Sequence, residues 1–118
     1  MSCEGFEWMM VMMIDSLKAF KIALEDPELS YFMKCRFALP EKNPRIFTRK
    51  WFSKGKKGWV WKVSVEEHMS FPFKENTINA ALICIDPIRG TIVSRRFFSS
   101  VLYEEYWKVA GEEYQSFR

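Results

Sequence analysis

A segment near the middle of the chain combines basic and aromatic side chains and contains no acidic residue. Residues 49–62, RKWFSKGKKGWVWK, include six lysines or arginines and three tryptophans. Lysine and arginine side chains bind the phosphates of nucleic acids, and aromatic rings stack on bases that are not paired. The composition of this segment therefore indicates a surface that binds RNA or single-stranded DNA.

The basic residues are concentrated in one part of the chain. Residues 42–65 contain eight basic residues and no acidic residue, whereas the whole chain has a net charge of only +3. The remaining residues therefore carry a net charge of −5. A basic patch on an otherwise acidic domain produces a local field that attracts polyanions. The residues predicted to bind nucleic acid are Arg45, Arg49, Lys50, Trp51, Lys54, Lys56, Lys57, Trp59 and Lys62.

This basic segment is predicted to form a β-hairpin. Residues 45–52 and 59–65 have strand patterns, and Gly55 and Gly58 supply the backbone freedom that the turn between them needs. Alternation in the second strand places both of its tryptophans on the same face as two valines, which predicts that this face is core. Trp51, on the first strand, is therefore the better candidate for stacking on a base.

Other functions are also consistent with the sequence. A lysine-rich turn can be a solvated hairpin tip, and lysine on an edge strand protects against aggregation. The main alternative is a protein-interaction module, such as an inhibitor, an adaptor, a homodimer or a viral or phage accessory protein. Tyrosine and tryptophan are enriched at protein interfaces. That alternative uses the aromatic residues of the C-terminal helix, namely Tyr103, Tyr106, Trp107 and Tyr114.

Catalytic chemistry has little support in the sequence. His68 is the only histidine and follows Glu66 and Glu67. It could act as a general acid or base with Glu67 or Lys62 as its helper, but a loop histidine without a catalytic role is the more common outcome. No phosphate-binding loop or nucleophile motif occurs. We therefore predict no catalytic residue, and a small ribonuclease that needs no metal is the less favoured alternative.

Metal, cofactor and membrane roles are not expected. Cys3, Cys35 and Cys84 are widely spaced and form no CxxC pair, and a zinc site needs four ligands at closer spacing than these cysteines and the single histidine provide. Unpaired cysteines and the lack of a secretory signal favour a reducing, cytoplasmic location. The apolar run at residues 8–14 is much shorter than the roughly 20 residues that a membrane span needs. No cofactor, metal or membrane partner is therefore predicted.

The pattern of apolar residues predicts a helical beginning of the chain. Apolar side chains at helical spacing predict a helix over residues 6–24, and Asp26 followed by Pro27 predicts the start of a second helix. The length of the chain suits one globular domain over residues 1–118, with roughly the first five residues outside the folded part.

Strand patterns follow, and they complete the predicted fold. After the basic hairpin, residues 78–85 form an apolar run, as expected for a central strand covered on both faces. Asp86 to Gly90 predict a turn into a fourth strand, and Ser99 or Ser100 is expected to cap a C-terminal helix. The predicted fold is α+β in the order ααββββα. It has a four-stranded, mostly antiparallel sheet with the helices on one face.

Overall fold

Within the part of the chain that the structure describes, two helices, four strands and a further helix follow one another in the predicted order. The structure is a computed structural model that describes residues 13–37, 46–55, 58–69 and 77–111. The four strands form one antiparallel sheet in the order β1-β2-β3-β4, which confirms the α+β fold class. The elements are α1 (Ser16–Leu24), α2 (Pro27–Arg36), β1 (Ile46–Gly55), β2 (Gly58–Met69), β3 (Thr77–Ile85), β4 (Ile92–Leu102) and α3 (Tyr103–Ala110).

The first two helices begin at aspartate caps. Asp26 Oδ2 accepts a hydrogen bond from the backbone N–H of Leu29 at 3.1 Å, and Pro27 occupies the first helical position, as predicted. Asp15 Oδ1 accepts one from Lys18 N at 2.8 Å, so α1 begins at Ser16 rather than near residue 6. Residues 1–12 lie outside the described part. None of the described helices is long and apolar enough to cross a membrane.

One core lies between the sheet and the first two helices. Side chains alternate along a strand, so every second residue of β2 and β3 points towards α1 and α2. We call this side of the sheet the α1 face. Its buried cluster consists of Ala19, Ala23, Leu29, Phe32, Phe37, Val63, Val65, Ala81, Ile83 and Ile85.

A second core lies on the opposite side of the sheet, which we call the α3 face. It contains the other alternating residues of β3 together with the inner side of the C-terminal helix. The predicted packing of all helices on one face is therefore wrong, because α3 covers the side that α1 and α2 leave open. This cluster consists of Ile78, Ala80, Leu82, Tyr106 and Ala110.

The fourth strand continues through the two serines that were predicted to cap α3. Neither Ser99 nor Ser100 caps the helix, because β4 continues to Leu102, which stands immediately before Tyr103. Ser100 has a φ of 50°, and its N–H donates to Asn79 Oδ1 at 2.9 Å. A register irregularity of the β3–β4 ladder lies beside Asn79, between Ile78 and Ala80. This hydrogen bond ties the backbone of β4 to β3 beside the irregularity.

The turn between β3 and β4 has the predicted geometry. Asp86 Oδ1 accepts hydrogen bonds from the N–H groups of Ile88 and Arg89 at 2.8 and 2.9 Å. Gly90 has a φ of +68° and donates its N–H to Asp86 O at 2.9 Å. Glycine adopts this left-handed conformation without steric cost, so it fits the bulged end of the turn.

Replacing Gly90 with alanine is expected to lower the free energy of unfolding by about 1 kcal/mol. The added Cβ would meet Ile22 at 3.6 Å and Ile14 at 3.8 Å, which are ordinary contacts, so the cost arises from the backbone. Urea denaturation measures the change, with the exposed Thr91→Ala as control. A Gly90→Ala variant as stable as this control would contradict the conformational argument.

Candidate functional site

The predicted basic hairpin forms and extends beyond the rest of the sheet. We use the name basic hairpin for β1 and β2, which pair from Ile46–Glu67 to Gly55–Gly58. The pairing of β2 with β3 ends at Trp61–Ile85, so residues 58–60 and their partners on β1 project past β3. Since β1 is an edge strand, side chains from both of its faces reach the same open edge of the sheet.

Three of the predicted basic residues are accessible within the described part of the hairpin. Lys50 and Lys54 are exposed on the α1 face, and Lys50 Nζ lies 5.1 Å from the centre of the Phe20 ring. The side chain of Arg49 is about half exposed on the opposite face. The remaining predicted basic residues near the hairpin, Arg45, Lys56 and Lys57, lie outside the described residues.

The predicted contact between Lys62 and nucleic acid needs correction. Lys62 is only 3% exposed, and its Nζ donates a hydrogen bond to Ala110 O at 3.2 Å. Carbonyl oxygens in the last turn of a helix lack partners within the helix, and cations are favourable there. Lys62 therefore stabilises the C-terminal end of α3 and does not belong to the surface of the hairpin.

The tryptophans differ from the prediction in their exposure. Trp59, assigned to the core, is 39% exposed and stacks on Phe52 with a centroid distance of 4.9 Å and an interplanar angle of 12°. Trp51 is partly buried, 5.4 Å from the ring of Trp107. Trp61 is held by its indole N–H, which donates to the backbone carbonyl of residue 14 at 3.0 Å. Trp59 therefore replaces Trp51 as the better candidate for base stacking.

The aromatic residues of α3 pack mainly on the sheet. Tyr106 is 1% exposed and its ring lies edge-on to Phe98, so the predicted interface role of Tyr106 needs correction. Tyr103 and Trp107 are partly buried beside it on the α3 face. Tyr114, the fourth predicted interface residue, lies outside the described residues.

A buried carboxylate lies between the hairpin and α3. The side chain of Glu66 is completely buried on the α3 face. Its Oε2 accepts a hydrogen bond from Ser64 Oγ at 2.8 Å and lies 3.2 Å from Arg49 Nε. Its Oε1 lies 3.3 Å from His68 Nε2. Three neighbouring residues of β1 and β2 thus converge on a single carboxylate.

Two tyrosines of α3 extend this arrangement. Burial raises the pKa of the Tyr106 phenol well above its usual range, so the phenol stays protonated and donates to Ser64 Oγ, which in turn donates to Glu66. Tyr103 Oη accepts a hydrogen bond from Arg49 Nη2 at 3.2 Å. The six residues connected in this way form what we call the Glu66 cluster: Arg49, Ser64, Glu66, His68, Tyr103 and Tyr106.

Part of the Glu66 cluster reaches the surface. The side chain of His68 is 25% exposed and that of Arg49 is 46% exposed. The His68 ring contacts the rings of Phe47 and Tyr103, at centroid distances of 5.0 and 5.2 Å. The Arg49 guanidinium lies 5.3 Å from the centre of the Trp107 ring. The buried carboxylate of Glu66 therefore contacts an imidazole and a guanidinium that solvent can reach. The buried phenol of Tyr106 is connected to the same carboxylate through Ser64.

His68 lies in a strand rather than in the predicted loop, and its carboxylate neighbour is Glu66 rather than Glu67. The strand continues to Met69, so Glu66 and His68 are two residues apart in β2 and share a face. Glu67 points to the other face, where its Oε1 accepts a hydrogen bond from Asn79 Nδ2 at 3.4 Å. In a strand, residues two apart share a face, so the spacing of Glu66 and His68 is the sequence signal that pairs them. The signal applies only because β2 continues to Met69.

Acid–base chemistry and anion binding suit the donors and acceptors of the cluster. Among the described residues, no three His, Cys, Asp or Glu side chains lie together as a metal site would require. Comparisons with protein-family models, with curated proteins and with solved structures found no match. A function for this protein must therefore be inferred from the basic hairpin and the Glu66 cluster themselves.

Proposed function

We propose that the protein binds RNA or single-stranded DNA along the open edge of β1. The proposal is supported by accessible cations on both faces of this edge, with Lys50 and Lys54 on one face and Arg49 on the other. Cations spaced along an extended strand can follow the phosphates of a nucleic acid that is not in a duplex. The rest of the chain has a net negative charge, which repels a polyanion and so favours its binding at this edge.

The single observation that carries the proposal is the exposed Trp59 ring beside these lysines. Trp59 lies in the part of the basic hairpin that projects past β3, is 39% exposed, and stacks on Phe52 at the base of this projection. Lys54 pairs with Trp59 across the two strands. A base that stacks on an aromatic ring gains about 1–3 kcal/mol whatever its identity. The hairpin end thus offers a stacking surface directly beside a phosphate contact.

The protein-interaction alternative has less support. One of its four predicted residues, Tyr106, is buried against the sheet and hydrogen-bonded within the Glu66 cluster. Tyr103 and Trp107 also contact residues of β1, so much of their aromatic surface is used inside the protein. The hairpin residues Lys54 and Trp59 have the exposure that a binding role requires.

Reversing the charge of Lys50 and Lys54 together is expected to weaken binding of a short 2′-O-methyl RNA oligonucleotide at least tenfold at low salt, or about 1.4 kcal/mol. The slope of log affinity against log salt should decrease by about 1.4, because each lost phosphate contact on a single strand contributes roughly 0.7. Fluorescence anisotropy at several salt concentrations measures both quantities.

The matched control is Lys18→Glu combined with Lys34→Glu, which changes the charge equally on exposed positions of α1 and α2. This variant should keep most of the affinity and the original salt slope. If the wild-type protein shows no binding at low salt, or if the two double variants lose affinity equally, the proposed function is wrong.

A further inference from the structure

We infer that the Glu66 cluster is an acid–base site that cleaves the phosphodiester backbone of RNA bound along β1. This inference rests on the proposed nucleic-acid binding and assigns the bound polymer as RNA. It arises from the partly exposed His68 imidazole and Arg49 guanidinium, which contact the two oxygens of one buried carboxylate. The substrate class follows from the 2′-hydroxyl group, which supplies an internal nucleophile to an RNA phosphodiester.

The burial of Glu66 is costly for a purely structural residue. Removing a carboxylate from water carries a penalty of several kcal/mol, and replacing a whole buried charge network with well-packed apolar side chains is often neutral or stabilising. Glu66 is completely buried and needs three donors to balance its charge and lone pairs. A group with this energetic cost and with an imidazole in contact with it fits a catalytic arrangement.

Glu66 gives His68 a defined tautomer. An ionised carboxylate only accepts hydrogen bonds, so His68 Nε2 carries the proton in this contact. The other ring nitrogen, Nδ1, then has a lone pair and can accept a proton from a substrate. The rings of Phe47 and Tyr103 hold the imidazole from two directions. His68 is therefore both oriented and accessible, as a general base must be.

Arg49 connects this site to the binding edge. Its guanidinium is held by Glu66, by Tyr103 Oη and by the face of Trp107, yet its side chain remains 46% exposed. Lys54 lies five residues farther along β1, which is about 17 Å at the usual rise of an extended strand. One RNA strand along the edge can therefore contact the lysines and place a phosphate at Arg49.

The chemical step needs no group beyond these residues and water. His68 Nδ1 accepts the proton of the ribose 2′-hydroxyl, whose oxygen forms a bond to the phosphorus while the bond from phosphorus to the 5′-oxygen breaks. Arg49 stabilises the negative charge on the phosphoryl oxygens. The departing 5′-oxygen takes the proton of the Tyr103 phenol, and the imidazolium then reprotonates Tyr103 through water. The products are a 2′,3′-cyclic phosphate end and a 5′-hydroxyl end.

The test uses the full chain and two labelled oligonucleotides of one sequence, RNA and its 2′-O-methyl analogue, with EDTA present. We expect the RNA to be cut to cyclic phosphate and 5′-hydroxyl ends and the analogue to be bound but left intact. His68→Gln should slow cleavage at least about 100-fold, because general acid–base catalysis contributes 10²–10⁴-fold. Its affinity for the analogue and its melting temperature should remain those of the wild type.

A matched pair of variants separates catalysis from folding. Tyr103→Phe removes one phenol oxygen at the cluster, and Tyr31→Phe removes one from an exposed position on α2. Only the first should slow cleavage, with unchanged affinity for the analogue. This pair decides the question if His68→Gln proves unstable.

The outcomes distinguish the two proposals. A protein that binds the analogue and leaves RNA intact would overturn the cleavage site while the proposed binding function stands. A protein that binds neither oligonucleotide and cuts neither would overturn both. Cleavage that persists at the wild-type rate in His68→Gln would show that the activity does not come from this site.

Discussion

Replacing Glu66 with leucine should lower the free energy of unfolding by about 3 kcal/mol, although leucine is apolar and the site is completely buried. Ser64 Oγ would lose its acceptor in a place that water does not reach. Arg49 would lose its carboxylate, at a smaller cost because its side chain is half exposed and can be rehydrated. Urea denaturation followed by tryptophan fluorescence measures the change.

Two further variants separate charge from shape at this position. Glu66→Gln keeps an oxygen that accepts from Ser64 and should lose roughly half as much stability, about 1–2 kcal/mol. Glu105→Leu makes the same chemical change at an exposed position of α3 and should remain within about 0.5 kcal/mol of the wild type. If Glu66→Leu is as stable as Glu105→Leu, the hydrogen bonds of the Glu66 cluster do not stabilise the fold.

The same variants test whether the charge of Glu66 is needed for folding or for catalysis. If Glu66→Leu is destabilised and Glu66→Gln is nearly normal, hydrogen bonding holds α3 on the sheet and the charge is not needed for folding. An amide keeps the hydrogen bond but cannot balance an imidazolium, so Glu66→Gln should then fold normally and cleave RNA slowly. Stability and cleavage rate thus report on different properties of the same side chain.

The arrangement of strands could be predicted from local patterns. The turn at Asp86 to Gly90 and the cap at Asp26 depend on residues adjacent in sequence, and both have the predicted geometry. The apolar run of β3 correctly indicated a strand covered on both sides. That same run conflicts with a sheet that has helices on one face only. The sequence of β3 therefore already indicates that α3 covers the second face of the sheet.

The members of the Glu66 cluster could not be assembled from the sequence. Arg49, Glu66 and Tyr103 come from β1, β2 and α3, and they meet only through the register of the sheet and the packing of a helix. Extending β2 by four residues converts Glu66 and His68 from loop positions into neighbours on one face. Lys62 was predicted to be exposed because it is charged, but it is buried against the C-terminal end of α3.

Asp26→Ala should lower the free energy of unfolding by about 3 kcal/mol, because one carboxylate performs two functions. It caps α2 through Leu29 N, which is worth about 1 kcal/mol. It also accepts hydrogen bonds from Arg95 Nε and Nη2 of β4 at 2.9 and 2.8 Å. The carboxylate is almost completely buried and Arg95 about one-third exposed, so this pair contributes roughly 2 kcal/mol. Chemical denaturation of the variant at neutral pH measures the combined loss of the helix cap and of the pair with Arg95.

The pair with Arg95 also predicts a dependence on pH. Hydrogen bonds from Arg95 hold the pKa of the Asp26 carboxyl below its usual range, although burial acts in the opposite direction. A carboxyl with a lower pKa in the folded state contributes stability above its unfolded pKa of about 3.9 and loses that contribution as the pH falls through the folded-state pKa. The stability difference between the wild type and Asp26→Asn should therefore be constant near neutral pH and shrink below about pH 4.

Asp26→Asn separates the two functions of this residue, since asparagine caps a helix as well as aspartate but carries no charge for Arg95. It should retain about 1 kcal/mol of the stability that Asp26→Ala loses. Arg95 also lies 2.9 Å from the exposed Glu28, so it keeps one acidic neighbour in both variants. If Asp26→Asn is as stable as the wild type at every pH, the link between β4 and α2 depends on hydrogen-bond geometry alone and the charge of Asp26 adds nothing to it.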